Sequence, residues 1–115
     1  MTIVHHLPSQ RYSEAVVCNG LIFLSGQVPE TDNSSAFCQT QEVLRQIDER
    51  LAELSSDKTK ILDATIFLAD VSDYDNMNRA WDAWVAPNAA PARATVEAKL
   101  AKPEWRVEIK IIAAC

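Results

Sequence analysis

The chain has 115 residues, of which 48% are hydrophobic and 23% are charged, with a formal net charge of -5. This length and composition predict one domain over residues 1–115, with enough apolar side chains for a packed core. The acidic balance argues against a nucleic-acid partner, because a negative surface repels phosphate backbones. No apolar run approaches the ~20 residues of a membrane span, and no signal-peptide pattern opens the chain, so we expect a cytoplasmic protein without membrane contact.

The cysteines and histidines do not suggest a metal site. Cys18, Cys38 and Cys115 are odd in number, far apart and without a CxxC pair, which favours neither a disulfide framework nor a zinc site. Three reduced thiols are the simpler expectation. His5 and His6 are adjacent, so on a strand they would face opposite ways and would not share a metal ion.

A β-hairpin over residues 14–25 is the first predicted element. Two apolar runs flank Asn19 and Gly20, the dipeptide that accepts positive φ at both central positions of a type I′ turn. A helix follows, capped by Ser34 or Ser35 and ending near Leu54. Its apolar stripe contains Phe37, Leu44, Ile47, Leu51 and Leu54, whereas Glu42, Arg45, Glu49 and Arg50 lie mostly off it.

Residues 60–69 carry apolar side chains on nearly both faces, which is typical of a strand that is covered on both sides. Helices would cover one face, and in so short a chain a neighbouring subunit would cover the other. Asp73 is predicted to cap a second helix, and Pro87 and Pro91 mark the loop after it. The buried stripe of this helix contains Met77, Ala80, Trp81, Trp84 and Val85.

Residues 93–100 and 105–113 each alternate between polar and apolar side chains, and a short turn with Pro103 separates them. This pattern predicts a second hairpin. Right-handed crossovers would then place both helices on one face of a mixed sheet, which makes the fold class α+β. Arg93 and Glu108 would share the other face and point away from the helices.

Arg93 and Glu108 are the candidate functional pair. An arginine that begins a strand directly after a loop can grip a small carboxylate with two parallel hydrogen bonds. A glutamate on the same sheet face can hold or activate a water molecule. The predicted hairpin register brings Glu108 nearer to Glu97 than to Arg93, which leaves both side chains available. A solvated polar face is the alternative interpretation of this spacing.

Four blocks follow one another along the chain: Leu-Ser-Gly-Gln-Val-Pro at 24–29, Asp-Ala-Thr-Ile-Phe-Leu-Ala-Asp at 63–70, Pro-Ala-Arg-Ala-Thr-Val-Glu-Ala at 91–98 and Val-Glu-Ile-Lys-Ile-Ile-Ala at 107–113. Together they resemble the RidA (YjgF) family of reactive-intermediate deaminases, over about residues 11–115. The stretches Trp-Asp-Ala-Trp-Val and Pro-Glu-Trp-Arg-Val-Glu-Ile-Lys resemble the YoaB-like branch.

The resemblance implies a chorismate-mutase-like fold and a homotrimer whose three clefts lie between subunits. It also implies hydrolysis of enamine and imine intermediates, such as 2-aminoacrylate, to 2-keto acids and ammonia, without a metal or other cofactor. In such proteins the arginine that matches Arg93 binds the substrate carboxylate, and the glutamate that matches Glu108 positions or activates the water. Further substrate-binding positions implied in this way are Tyr12, Ser25, Gly26, Asn78 and Thr95.

Three departures from the family pattern lie near the implied cleft. Thr95 stands where cysteine is frequent, Lys110 replaces a second acidic residue, and the turn over residues 101–106 is one residue longer. Two other functions therefore stay open. One is a non-catalytic protein that binds a small 2-keto or amino acid through Arg93, which the extra cation of Lys110 favours slightly. The other is a ribonuclease, against which the acidic balance and the lack of a basic, aromatic patch weigh.

Overall fold

The computed structural model describes residues 1–31 and 35–115, so the candidate cap Ser34 lies outside the described residues. The elements, in chain order, are β1 (Ile3–Pro8), β2 (Ser13–Cys18), β3 (Leu21–Leu24), α1 (Ala36–Glu53), β4 (Ile61–Leu68), α2 (Tyr74–Trp84), β5 (Ala92–Glu97) and β6 (Val107–Ala114). Single turns of 3-10 helix precede β4 and α2. No helix within the described ranges is both long enough and apolar enough to cross a membrane.

The strands form one mixed sheet in the order β1-β2-β3-β6-β4-β5. Strands β4 and β5 run parallel, and the other neighbouring strands in the described part of the chain are antiparallel. Both helices pack on one face of the sheet, which confirms the predicted α+β fold. Alternate residues of the inner strands point to the helices and form the core, among them Ile22, Leu24, Ala64, Ile66, Leu68, Val107, Ile109 and Ile111.

The first predicted hairpin is confirmed as β2 and β3. Asn19 and Gly20 have φ angles of 52° and 75°, the pair of positive values that a type I′ turn requires. Strand β1 was not predicted, because its sequence Ile-Val-His-His-Leu-Pro does not alternate with a period of two. It pairs with β2 at the outer edge of the sheet, where Pro8 is tolerated.

Both helices lie where the sequence places them, but two polar residues behave differently from the prediction. Ser35 caps α1 by accepting a hydrogen bond from the Cys38 N–H, as expected. Glu42 is buried, although it was expected off the buried stripe. Asp73 precedes α2 but makes no capping bond, because both of its carboxylate oxygens accept hydrogen bonds from Arg106 at 3.2 Å.

The predicted second hairpin is wrong. Strands β5 and β6 are not neighbours, because β4 lies between them and pairs with both. The apolar character of β4 on both faces agrees with this internal position. Alternation identifies a strand and its two faces, but it does not identify the neighbouring strand. Glu108 therefore lies in register with Phe67 of β4, and the predicted proximity to Glu97 does not arise through direct pairing.

The turn at Gly20 yields a test of the hairpin. No atom lies within 4 Å of a β-carbon built at Gly20, so a substitution there meets no steric clash and changes only the backbone preference. Gly20→Ala should lower the free energy of unfolding by about 1–2 kcal/mol, because the left-handed region is unfavourable for alanine. Gly20→Asn should lose less, since asparagine tolerates that region. Urea denaturation at fixed protein concentration measures both values, and equal losses would contradict the assignment.

Candidate functional site

Arg93 lies at the start of β5, on the face of the sheet that carries the helices. It is in register with Ala64, which is fully buried in the core. Its Nη1 donates a hydrogen bond to Oδ1 of Asn78 at 2.8 Å, and its Nη2 donates to the hydroxyl of Tyr74 at 3.3 Å. The guanidinium carbon lies 5.2 Å from the ring centre of Trp81. Helix α2 thus holds Arg93 with three side chains.

This arrangement leaves Arg93 able to bind an anion. Two of the five N–H donors of the guanidinium are used by α2, and the others remain available. Within residues 1–31 and 35–115, no carboxylate pairs with Arg93. Because the planar fork of arginine matches a carboxylate in two hydrogen bonds, a small carboxylate is the ligand that fits it.

Thr95 lies two residues further along β5 and on the same face as Arg93. It is in register with Ile66, and its hydroxyl is buried without a hydrogen-bond partner among the described residues. An unsatisfied buried hydroxyl is uncommon in folded proteins. Arg93, Thr95, Asn78, Tyr74 and Trp81 are called the arginine half-site below.

Glu108 lies in β6 on the opposite face of the sheet. It is half-buried and makes no ion pair or hydrogen bond with another described residue. Gly26 lies directly against it, because a β-carbon at residue 26 would overlap the Glu108 carboxylate and lie 2.9 Å from its Cδ. Paired backbone hydrogen bonds between Gln27 and Ile109, of 2.9 and 3.0 Å, hold the chain at this close approach.

A cavity of about 100 Å³ adjoins Gly26. Three of the residues predicted for substrate binding line it, namely Tyr12, Ser25 and Gly26. The Ser25 hydroxyl lies 3.4 Å from a carboxylate oxygen of Glu14 and accepts a hydrogen bond from the Gln27 side chain at 3.3 Å. Glu108 and these cavity residues are called the glutamate half-site below.

The structure does not bring the two half-sites together within one chain. Arg93 is paired with Ala64 and Glu108 with Phe67, and these two β4 residues are three positions apart. Because successive side chains of a strand alternate between faces, Arg93 and Glu108 lie on opposite faces of the sheet. The prediction that both point away from the helices is confirmed for Glu108 and wrong for Arg93. The edge position of β5 lets Arg93 reach polar partners on α2.

The face that carries Glu108 exposes many apolar side chains. Phe23 and Val96 are 38% and 42% exposed, and Ile3 at the outer edge is 52% exposed. Phe67 and Ile112 of the inner strands are only half-buried, and neither α1 nor α2 packs on this side. Lys110 also lies on this face and donates a hydrogen bond to the carbonyl oxygen of Leu24. We call this surface the open face.

Sequence reasoning missed Tyr74 and the partnership of Trp81 with Arg93. The three α2 residues that contact Arg93 are spaced 74, 78 and 81, which places them on one side of a helix. The predicted core position of Trp81 is confirmed, since it is 5% exposed, but its ring also lies against the guanidinium of Arg93. Within the described ranges, no three His, Cys, Asp or Glu side chains are close enough to hold a metal ion.

Comparisons with known proteins show the family that the sequence resembles. The family model described as Endoribonuclease L-PSP matches residues 3–115. RutC family protein YoaB of Escherichia coli K12 is 50% identical over 114 residues, 99% of each chain. The crystal structure of NMB1025 from Neisseria meningitidis, a member of the YjgF protein family, is 60% identical with a TM-score of 0.97, covering 99% of this chain and 95% of that chain. Reactive Intermediate Deaminase A of Arabidopsis thaliana is 33% identical over 108 residues, 89% of this chain and 57% of that protein.

The contact between Gly26 and Glu108 can be tested directly. In Gly26→Ala the new methyl group would overlap the carboxylate, so the end of this flexible side chain must move away. We expect the carboxyl carbon of Glu108 to change its chemical shift in NMR spectra, with a stability loss of about 1 kcal/mol or less. Gly20→Ala, whose β-carbon meets no atom, should leave that signal unchanged and serves as the control. An unchanged signal in Gly26→Ala would contradict the contact.

Proposed function

The chain belongs to the RidA/YjgF family, and from this membership we propose that it hydrolyses small 2-imino acids to 2-keto acids and ammonia. The substrate class is that of 2-aminoacrylate and its imine tautomer, and no cofactor takes part. The observation that carries the proposal is a pair of functional groups. The guanidinium of Arg93 uses two of its five donors on α2, and the carboxylate of Glu108 has no hydrogen-bond or ion-pair partner in residues 1–31 and 35–115. The name of the Arabidopsis relative, Reactive Intermediate Deaminase A, supports the same reaction.

In the proposed reaction the guanidinium of Arg93 binds the carboxylate of the imine and fixes the position of C2. Glu108 holds a water molecule against C2 and takes a proton from it while the water oxygen bonds to that carbon. That proton passes to the imine nitrogen, so C2 then carries a hydroxyl and an NH2 group. The hydroxyl proton next passes through Glu108 to the NH2 group, the C–N bond breaks, ammonia leaves with the electron pair of that bond, and the oxygen on C2 becomes the keto oxygen. An imine is already electrophilic, so orientation and water delivery supply most of what the enzyme must add.

We further propose a homotrimer in which the arginine half-site of one subunit faces the glutamate half-site of the next. Opposite sheet faces cannot converge on one small substrate within a chain, whereas a head-to-tail contact repeated around a three-fold axis brings them together three times. The open face would be the contact surface. Covering its exposed apolar side chains, Phe23 and Val96 among them, would remove them from water.

The second candidate function is ligand binding without catalysis, in which the same site holds a 2-keto acid and does not convert it. Lys110 lies two residues from Glu108 on the open face, and a cation there stabilises a bound carboxylate rather than the proton transfer. Such a protein would bind a 2-keto acid, keep that affinity in Glu108→Gln, and show no turnover in either form. The ribonuclease activity named in the family description would require RNA binding that weakens steeply with salt, which a net charge of -5 disfavours.

The decisive assay generates 2-aminoacrylate from serine with a dehydratase and follows 2-keto acid release with and without the protein. We expect acceleration by the wild type and a loss of about a hundredfold or more in Glu108→Gln, because general-base groups contribute on that scale. Arg93→Lys should raise KM by roughly tenfold or more, since it loses the bidentate fork. Arg45→Ala and Glu49→Gln, an exposed pair on α1, are matched controls and should behave as wild type. No acceleration by the wild type would contradict the deaminase.

The trimer gives an independent prediction. Light scattering should report about three times the 12.8 kDa mass of the chain. Phe23→Glu and Val96→Glu would each introduce a charge into the proposed contact and should lower the observed mass. Val71→Glu is the control and should leave the trimer intact, because Val71 is an apolar and even more exposed residue that follows β4 and lies outside the sheet. A monomeric wild type would contradict the shared site.

A further inference from the structure

Helix α1 carries a second stripe of buried polar residues, on the side that faces the segment from Ser25 to Thr31. Its members are spaced three or four residues apart, as neighbours on one side of a helix are. They are Gln39, Glu42, Gln46 and Arg50, and the first three are more than 90% buried.

Two members of this stripe have structural roles. The Gln39 side chain donates to the carbonyl oxygen of Glu104 at 3.0 Å and accepts from the Arg106 N–H at 2.7 Å, so it fixes the approach to β6. Glu42 accepts hydrogen bonds from the backbone N–H groups of Glu30 and Thr31 at 2.6 and 3.1 Å. These contacts account for polar groups in such a buried place.

Gln46 differs from them. Only 8% of its surface is exposed, and its Nε2 has no hydrogen-bond partner among the described residues. The Nε of Arg50, one turn further along α1, is also buried without a hydrogen bond, and Glu14 lies 3.6 Å from it as an ion-pair partner. Both side chains line the 100 Å³ cavity that contains Ser25 and Gly26.

We propose that this cavity receives the side chain of the imino acid and that Gln46 selects for a neutral polar group, a carboxamide above all. The proposal rests on the deaminase function proposed above and names the substrate class of that same site. Gly26 contacts Glu108 and also lines the cavity, so a side chain on an imine held at Glu108 can enter past Gly26.

The chemistry of the lining favours a carboxamide over a carboxylate or an alkyl group. A carbonyl oxygen would accept from Nε2 of Gln46 and from Nε of Arg50, which an alkyl group would leave unsatisfied. The amide NH2 would find acceptors in the carboxylates of Glu14 and Glu30, which also line the cavity. A second carboxylate on the substrate would be disfavoured, because two carboxylates and one guanidinium line the cavity and that guanidinium is already paired with Glu14 and Glu53.

Asparagine and leucine provide a matched pair for the test, because their side chains have the same branched shape and differ in polarity. An amino acid oxidase generates the imine of each in situ, and the release of 2-keto acid is followed with and without the protein. The wild type should hydrolyse the asparagine-derived imine with a kcat/KM about tenfold higher than the leucine-derived imine, since a site built to hydrogen-bond discriminates against the apolar analogue.

Gln46→Met keeps the length of the side chain and removes its donor, so the preference should fall to about one or reverse. Gln46→Glu replaces the donor with an acceptor and should lose the preference in the same way. The test therefore still works if one of the two variants fails to fold. Gln41→Met makes the same chemical change on an exposed position of α1 and should keep the wild-type preference.

Activity on 2-aminoacrylate separates this inference from the function on which it rests. A wild type that accelerates 2-aminoacrylate hydrolysis and treats the two larger imines alike would overturn the specificity role and leave the deaminase standing. The same holds if Gln46→Met keeps the preference. A wild type inactive on all three imines would overturn the deaminase itself. If the cavity holds only ordered water, the wild type will treat the two larger imines alike, and the specificity role of Gln46 is overturned.

Discussion

The alternation of side chains across β4 is the constraint on which the account of this protein depends. Strands β5 and β6 pair with opposite edges of β4, and the register sets Arg93 beside Ala64 and Glu108 beside Phe67. The two functional groups therefore point to opposite faces of one sheet. The proposed imine substrate is too small to contact both groups in a single chain, so the proposed site requires a second copy. In the proposed trimer, that copy packs on the exposed apolar open face.

Each half-site is held by a different part of the fold. Helix α2 fixes the guanidinium of Arg93 through Asn78, Tyr74 and Trp81, so the charge is oriented before a ligand arrives. The backbone pairing of Gln27 with Ile109 sets Gly26 against Glu108, and the polar stripe of α1 anchors the residues that follow. Groups positioned in this way need little reorganisation on binding, which is the condition for effective catalysis by orientation.

Features that depend on local sequence could be predicted, and features that depend on distant pairing could not. The turn at Asn19 and Gly20 and both helices follow from short patterns, and all are present in the structure. The position of β6 between β3 and β4 depends on contacts across the whole chain, so the alternation of β5 and β6 suggested a false hairpin. Arg93 was expected on the face opposite the helices because the residues that alternate with it, Ala94 and Val96, are apolar; in the structure Val96 lies on the open face instead. The identity of the site residues came from the resemblance, because spacing alone did not distinguish them from a solvated polar face.

Subunit complementation tests the central claim most directly. Arg93→Ala and Glu108→Gln variants are each prepared alone, and are also mixed in equal amounts, unfolded and refolded together. If every site takes its arginine from one subunit and its glutamate from the next, about one site in four of the whole refolded population has both groups intact. We predict that the mixture recovers roughly a quarter of the wild-type deaminase activity, whereas each variant alone stays inactive. The contradicting result is a wild-type homotrimer that is fully active while the refolded mixture recovers no deaminase activity. Both groups would then act from the same chain, and the site would not be shared.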